Sequence, residues 1–211
     1  MKNAILIICS FLMGFSAISQ DIQPIKLLPP QLDKGKSLMQ ALQDRHSTRE
    51  FADKELSLQE LSNLLWAANG INRQEAKKRT APTAMNWQDI DVYVFLKEGI
   101  FYYDALAMEL KPLVQGDKRS LAGTQPFVAG APVNLVLVSD YARMGMAREE
   151  SKPAYASADA AFVGENVYLF CAAFDLNCVL RASIDKDAIA KLLNLRPEQH
   201  AVFGITIGFP K

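Results

Sequence analysis

The stretch SADAAFVGENVYLFCAAF, from Ser157 to Phe174, constrains the fold more than any other part of the chain. Its apolar residues cover most faces of a helix instead of one stripe. Such a helix is stable only when it is buried on nearly all sides or when its free face meets a second subunit. The rest of the chain must therefore wrap this helix, or two chains must share it, and an obligate dimer is the expectation. With 211 residues, half of them hydrophobic, one domain can supply the core.

The other elements follow from local patterns. KGKSLMQALQDR reads as a helix with Leu38, Met39 and Leu42 on one face. Ser57 and Glu60 have the spacing of a capping box opening LSNLLWAANG, and Gly70 suits its end. DVYVFLKEGIFYYDALAMEL alternates, with Glu98-Gly99 as a turn, and predicts a hairpin or meander from Asp91 to about Leu110. DKRSLAGTQPFVAGAP reads as a short helix and a loop punctuated by Gly and Pro, and the apolar run VNLVLVSD from Val133 as a buried strand. CVLRA is a further strand, DKDAIAKLLNL a helix with Asp185 as N-cap, and AVFGITIGF a closing buried strand. Helices and strands mix without a regular βαβ repeat, so the fold class is α+β.

Lys2, the uncharged apolar run from Ala4 to Phe15, and small residues at Ala17 and Ser19 have the form of a cleaved export signal over 1–19. The run is short for a bilayer span, so no stable membrane anchor is expected after cleavage. Cys9 falls inside the signal, behind the bulky Ile8. A loose, Pro-rich lead from Asp21 to Leu32 forms an N-terminal extension over 20–35, ahead of the domain at 36–211. Of the mature cysteines, Cys171 and Cys178 read as small core residues, with a disulfide as the alternative in an exported protein. Without histidines nearby they make no zinc site.

Lys plus Arg and Asp plus Glu each total 23, and no basic stripe is present, which excludes a nucleic-acid binder. Charge is nevertheless concentrated in RHSTREF, 45 to 51. In an extended chain Arg45, Ser47 and Arg49 share one face, where two guanidiniums and a hydroxyl suit phosphate or a polarised carbonyl. The competing reading has Arg45 complementing a helix C-terminus and Arg49 pairing with Glu50 or Asp53 on the surface. A second stretch, RTAPTAMNWQ from Arg79 to Gln88, combines small residues with the amides of Asn86 and Gln88. Small residues let a flat ligand approach the backbone, although the same types fill ordinary loops. There is no Gly-rich phosphate loop and no Gly-x-Ser-x-Gly elbow; with His46 and His200 the only histidines, general-base hydrolysis is a poor reading.

Taken in order, these motifs resemble the FMN-dependent nitroreductase family from about Lys36 to the C-terminus. RHSTREF followed by LQELSNLLWAANGINR is similar to its Arg-x-Ser-x-Arg/Lys-x-Phe motif and following helix, and APTAMNWQ to its Pro-Ser-x-x-Asn-x-Gln loop. GENVYLFCAAFDLNCVLRA looks like its long interface helix, turn and strand, and LRPEQHAVFGITIGFPK like its closing strand. The hairpin and GTQPFVAGAPVNLVLVSD resemble the oxidase subfamily acting on azoline-containing peptides.

The resemblance implies a homodimer with a mostly antiparallel central sheet flanked by helices and FMN at the subunit interface. Carried onto this sequence, Arg45, Ser47 and Arg49 would hold the flavin phosphate, ribityl chain and pyrimidine edge, with a backbone contact from His46. Pro82, Thr83, Ala84 and Asn86 would reach the flavin from the other subunit. The amides of Arg181 and Ala182 would face its N5 and O4, and Lys211 would assist at the phosphate. Four departures stand out: Ala84 where serine is common, Asp89 where proline often follows Gln88, Ala182 for a frequent glycine, and no basic tail after Lys211.

The implied function is transfer of hydride or electrons between a donor such as NAD(P)H and an electron-poor acceptor, a nitroaromatic or quinone. An exported protein meets no soluble NAD(P)H, which leaves open another donor, oxidation of an exported substrate, or a chain that is not exported. Two alternatives accompany it: a non-catalytic exported flavin-binding protein, and an oxygen-using flavin oxidase.

Overall fold

Two continuous apolar runs build the middle of the molecule. The computed structural model describes residues 21–211; the expected signal over 1–19, with Cys9, lies outside the described residues. Strand β1 is Ile25–Lys26, helix α1 Leu38–Asp44 and helix α2 Leu58–Asn69. The small hairpin β2 (Ile71–Arg73) and β3 (Lys78–Arg79) follows, then β4 (Ile90–Phe95), β5 (Gly99–Asp104) and β6 (Glu109–Gln115). After the short helix α3 (Phe127–Gly130) come β7 (Val133–Asp140), the long helix α4 (Lys152–Ala173), β8 (Asn177–Arg181), α5 (Lys186–Leu192) and β9 (Gln199–Gly208). Seven strands form one sheet in the order β1-β6-β5-β4-β7-β9-β8, every neighbour antiparallel.

All residues of β4 and β7 are buried, because both sheet faces are covered. On one face Val92, Val94, Leu135, Leu137, Ile205 and Ile207 meet Leu64 and Leu65 of α2 and Val163 and Val167 of α4. On the other, Tyr93, Phe95, Val136 and Val138 meet Val128 of α3 and Ile189 of α5. The α+β reading with a central antiparallel sheet and flanking helices is the observed fold.

The capping box forms as the spacing requires: Ser57 accepts from Glu60 N while Glu60 accepts from Ser57 N. Asp185 likewise caps α5 by accepting from Ala188 N. Gly70 ends α2 with φ −75°, so this stop uses no left-handed residue. The meander gains a third strand that runs on to Gln115, beyond the expected end near Leu110.

Two expectations change. The lead from Asp21 to Leu32 is fastened, not loose: β1 pairs with β6, Leu27 is buried, and Leu28 N and Gln31 N donate to Ser62 Oγ and Asn63 Oδ1 of α2. Buried polar side chains on α2, invisible to a hydropathy pattern, supply the acceptors. On α1, the apolar residues Leu38, Met39 and Leu42 are exposed and only Ala41 is buried.

Helix α4 begins at Lys152, ahead of the expected start at Ser157. One side, including Ala160, Val163, Gly164 and Val167, packs into the core. Gly164 permits close contact with β8, since a Cβ there would lie 2.2 Å from Leu180 Cδ1. The opposite side, with Tyr155 and Phe162, is exposed within one chain. Cys171 and Cys178 are both free thiols in the main core, and burial beside Cys178 raises the Cys171 thiol well above its usual range.

Candidate functional site

RHSTREF lies extended along the open edge of the sheet, tied down at alternate points. Thr48 N donates to Cys178 O of β8, Asn177 Nδ2 donates to Glu50 O, and Ala52 N donates to Phe209 O just after β9. Alternation then sets Arg45, Ser47 and Arg49 on one face of the segment. Arg45, the C-cap of α1, sets its guanidinium 5.3 Å from the ring centre of Tyr168, and Ser47 Oγ lies 2.8 Å from Tyr168 Oη. The same phenol accepts from Leu180 N at 3.0 Å. Tyr168 of α4 thus joins α4, β8 and the basic segment.

Arg49 is exposed, and no ion pair or hydrogen bond joins it to any described residue, Glu50 and Asp53 included. A guanidinium left this way keeps its whole donor fork available to a ligand. His46 is exposed, with Nδ1 2.6 Å from Asp44 O. Lys211 is exposed beyond Phe209, whose carbonyl is bonded to Ala52, so it lies at the same edge.

Arg181 and Ala182 separate sharply. Leu180 N points outward to Tyr168, so Arg181, opposite Gly204 in the ladder, directs its amide toward β9. Its side chain enters the core, donating to Ala122 O at 3.0 Å, to Thr206 Oγ1 at 2.7 Å and to Asn134 Oδ1 at 3.4 Å. No carboxylate among the described residues accompanies it there, and burial lowers its pKa to about 10. Gly123 makes the room, because a Cβ there would sit 1.9 Å from Arg181 Nη1. Ala182 is exposed, next in the outward-facing series after Leu180.

The second loop is highly determined. Met85, Asn86 and Gln88 have φ of 51°, 58° and 50°, a left-handed conformation that non-glycine residues adopt only when their surroundings impose it. Gln88 N donates to Thr83 Oγ1, Arg79 Nε donates to Gln88 Oε1, Gln88 Nε2 donates to Lys77 O, and Arg143 Nη1 donates to Gln88 O. Gln88 is thereby spent inside the protein instead of reading a ligand. Pro82 and Asn86 are exposed, and Thr83 and Ala84 half-buried.

Beneath the loop, Ala84 N donates to Asp159 of α4, 3.2 and 3.3 Å from its two oxygens. Asp159 is 2 % exposed. Desolvation, with Asp89 adjacent, pushes its pKa up to about 7. Tyr168 and Asp159 were hidden in the sequence by the apolar helix around them; an aspartate in SADAAF and a tyrosine between VGENV and LFCAAF were the available signal.

The two clusters are separate within one chain. Tyr168 and Asp159 are nine residues apart on α4, about 13 Å along the axis. At the basic edge the crevice between His46, Thr48, Tyr168 and Cys178 holds about 20 Å³, whereas sites for cofactors run to roughly 300 Å³ or more.

An antiparallel sheet covered on both faces thus carries, along one edge, a guanidinium without a partner among the described residues. The chain belongs to the nitroreductase family, whose model matches residues 42–209; it is accordingly an oxidoreductase of the flavin type. A nitroreductase-family protein of Methanocaldococcus jannaschii is 27% identical over 177 residues, 79% of this chain and 88% of that one. A nitroreductase-family crystal structure from Ralstonia eutropha is 37% identical, covers 89% of this chain and 90% of its own, and superposes with a TM-score of 0.84. The Escherichia coli microcin synthetase complex contains a chain sharing the fold alone, at 16% identity and a TM-score of 0.67 over 98% of this chain and 85% of that one.

Proposed function

We propose that the protein is an FMN-dependent oxidoreductase that moves hydride or electrons between a donor such as NAD(P)H and an electron-poor small molecule, a nitroaromatic or quinone. The observation that carries this is Arg49, a guanidinium with no partner among the described residues, in the extended edge segment that also carries Arg45 and Ser47. Bound FMN supplies the redox chemistry, and the chain supplies orientation and electrostatics. Arg45, Ser47 and Lys211 hold the phosphate and ribityl end, with His46 adding its backbone. Arg49 offers its fork to the pyrimidine edge, where a fixed cation favours the negative charge of the reduced ring. Ala182 presents its amide to the ring's polar edge, and the core-facing Arg181 fixes the strand that carries it. No protein acid or base is required.

The site is completed by a second copy. A crevice of about 20 Å³ does not enclose a flavin, and Pro82, Thr83, Ala84 and Asn86 lie too far along α4 to reach it from the same chain. A partner would cover the exposed apolar residues Leu38, Met39 and Leu42 of α1 and Tyr155 and Phe162 of α4. Export by the signal expected over 1–19 would put the protein outside the cytoplasm, with a donor other than soluble NAD(P)H.

Purified mature protein tests this directly. It is expected to show a bound-flavin visible spectrum, or to acquire one with added FMN, and to sediment as a dimer; a colourless monomer that takes up no FMN would overturn the reading.

A further inference from the structure

Asp89 stands where proline is frequent in the motif, and it is fully buried. Its Oδ2 accepts from Ser139 Oγ at 2.6 Å, while its Oδ1 is buried with no hydrogen-bond partner among the described residues. It lies beside Asp159, whose own oxygens face Ala84 N. Two carboxylates packed together away from water cannot both be ionised without a neutralising cation. None reaches them among the described residues. Arg143, in the turn after β7, bonds Gln88 O and pairs with Asp91 and Asp140. Arg79 bonds Gln88 Oε1 and Asn69 O, and Lys152 at the start of α4 pairs with Glu149. From just after β7, Tyr141 faces the same place, and burial raises its phenol above the usual range.

We propose that Asp89 and Asp159 share one proton, that this proton supplies the missing partner of Asp89 Oδ1, and that the pair holds the 83–88 loop in the shape that meets the flavin. Asp159 is then a positioning residue, acting through the Ala84 amide. The left-handed residues Met85, Asn86 and Gln88 need such a clamp, because their backbone conformation is not self-sustaining. Loss of the proton leaves two adjacent buried charges, which separate or draw in water and release Ala84. The loop's role at the flavin rests on the function proposed above; the shared proton does not.

Trp87 lies in the loop, in edge contact with Tyr155 of α4 at 5.1 Å between ring centres, and the chain's only other tryptophan is Trp66. In full-length mature protein free of FMN and carrying Trp66→Phe, Trp87 emission is followed from about pH 5 to about pH 9. One transition near neutrality is expected. Asp89→Asn, whose carboxamide donates permanently where the shared proton did, should abolish it, and should remove an infrared carboxylic-acid band present in the parent below the transition. Asp159→Asn should do the same, which guards against misfolding of the first variant. FMN affinity of the parent should weaken at least tenfold across the transition and stay level in Asp89→Asn. A transition that persists unchanged in both variants, or a parent without transition and band, overturns the shared proton. If no form binds FMN while the transition and band behave as stated, the flavin reading falls and the shared proton stands.

Discussion

Arg181 and Arg49 lie at the same edge of the sheet and lead opposite lives. Arg181 is 4 % exposed and meets only neutral oxygens, those of Ala122, Thr206 and Asn134, and its lowered pKa of about 10 records the cost of that burial. Arg49 is solvated and bonded to no described residue. The first guanidinium is part of the fold, since three elements close around it. The second is held in place only by the backbone seam to β8, which leaves its donors for something that is not part of the chain. The comparison shows that residue type says little about role: the number of donors already satisfied says more.

The comparison can be broken by substitution. Arg181→Ala removes a large buried side chain and strands Ala122 O, so a loss of roughly 3 kcal/mol or more in urea-unfolding stability is expected. Unchanged stability would show that the cluster is not structural. Arg49→Ala should leave stability within about 0.5 kcal/mol and weaken FMN binding roughly 10- to 100-fold, the worth of charge-assisted hydrogen bonds. Equal affinity by fluorescence titration would remove Arg49 from the site. Tyr168→Phe sits between the two: Leu180 N loses its acceptor and Ser47 its partner, giving a stability loss of about 1–2 kcal/mol together with weaker FMN binding. An effect on stability alone would assign the phenol to the fold. Ser47→Ala, at an exposed bond, should cost about 0.5 kcal/mol or less in stability and act mainly on affinity.

Stability should also depend on pH through Asp159. Its folded-state pKa is raised from 3.8 to about 7, so the folded state binds more protons across that window. The contribution is fully present below the ordinary carboxyl range and declines as pH rises through about 7. Thermal unfolding of the parent against Asp89→Asn reads this directly, because the variant should lose most of that decline.

Much of this was legible one residue at a time. The capping box at Ser57 and Glu60, the cap at Asp185 and the continuous strand at Val133 depend on neighbours within a few positions, where spacing fixes which groups meet. RHSTREF was legible as a cluster of charge, yet its two readings could not be told apart until Arg49 proved unpaired. The apolar residues of α1 were legible as a stripe but not as an exposed one, since amphipathicity indicates a face to be covered and not what covers it. The lead from Asp21 looked loose because its anchors, Ser62 and Asn63, lie more than thirty residues away.

The sequence by itself determined the α+β class, the capped helices, the buried strands and the motif order that marks the family, because these rest on local hydrogen bonding and periodic burial. Only the tertiary structure decided that Arg181 turns inward while Arg49 stays open, that Tyr168 ties α4 to β8, and that Asp89 lies against Asp159. Each of those depends on groups from distant segments arriving at one place, where desolvation and partner count, not residue identity, set what a charge can do.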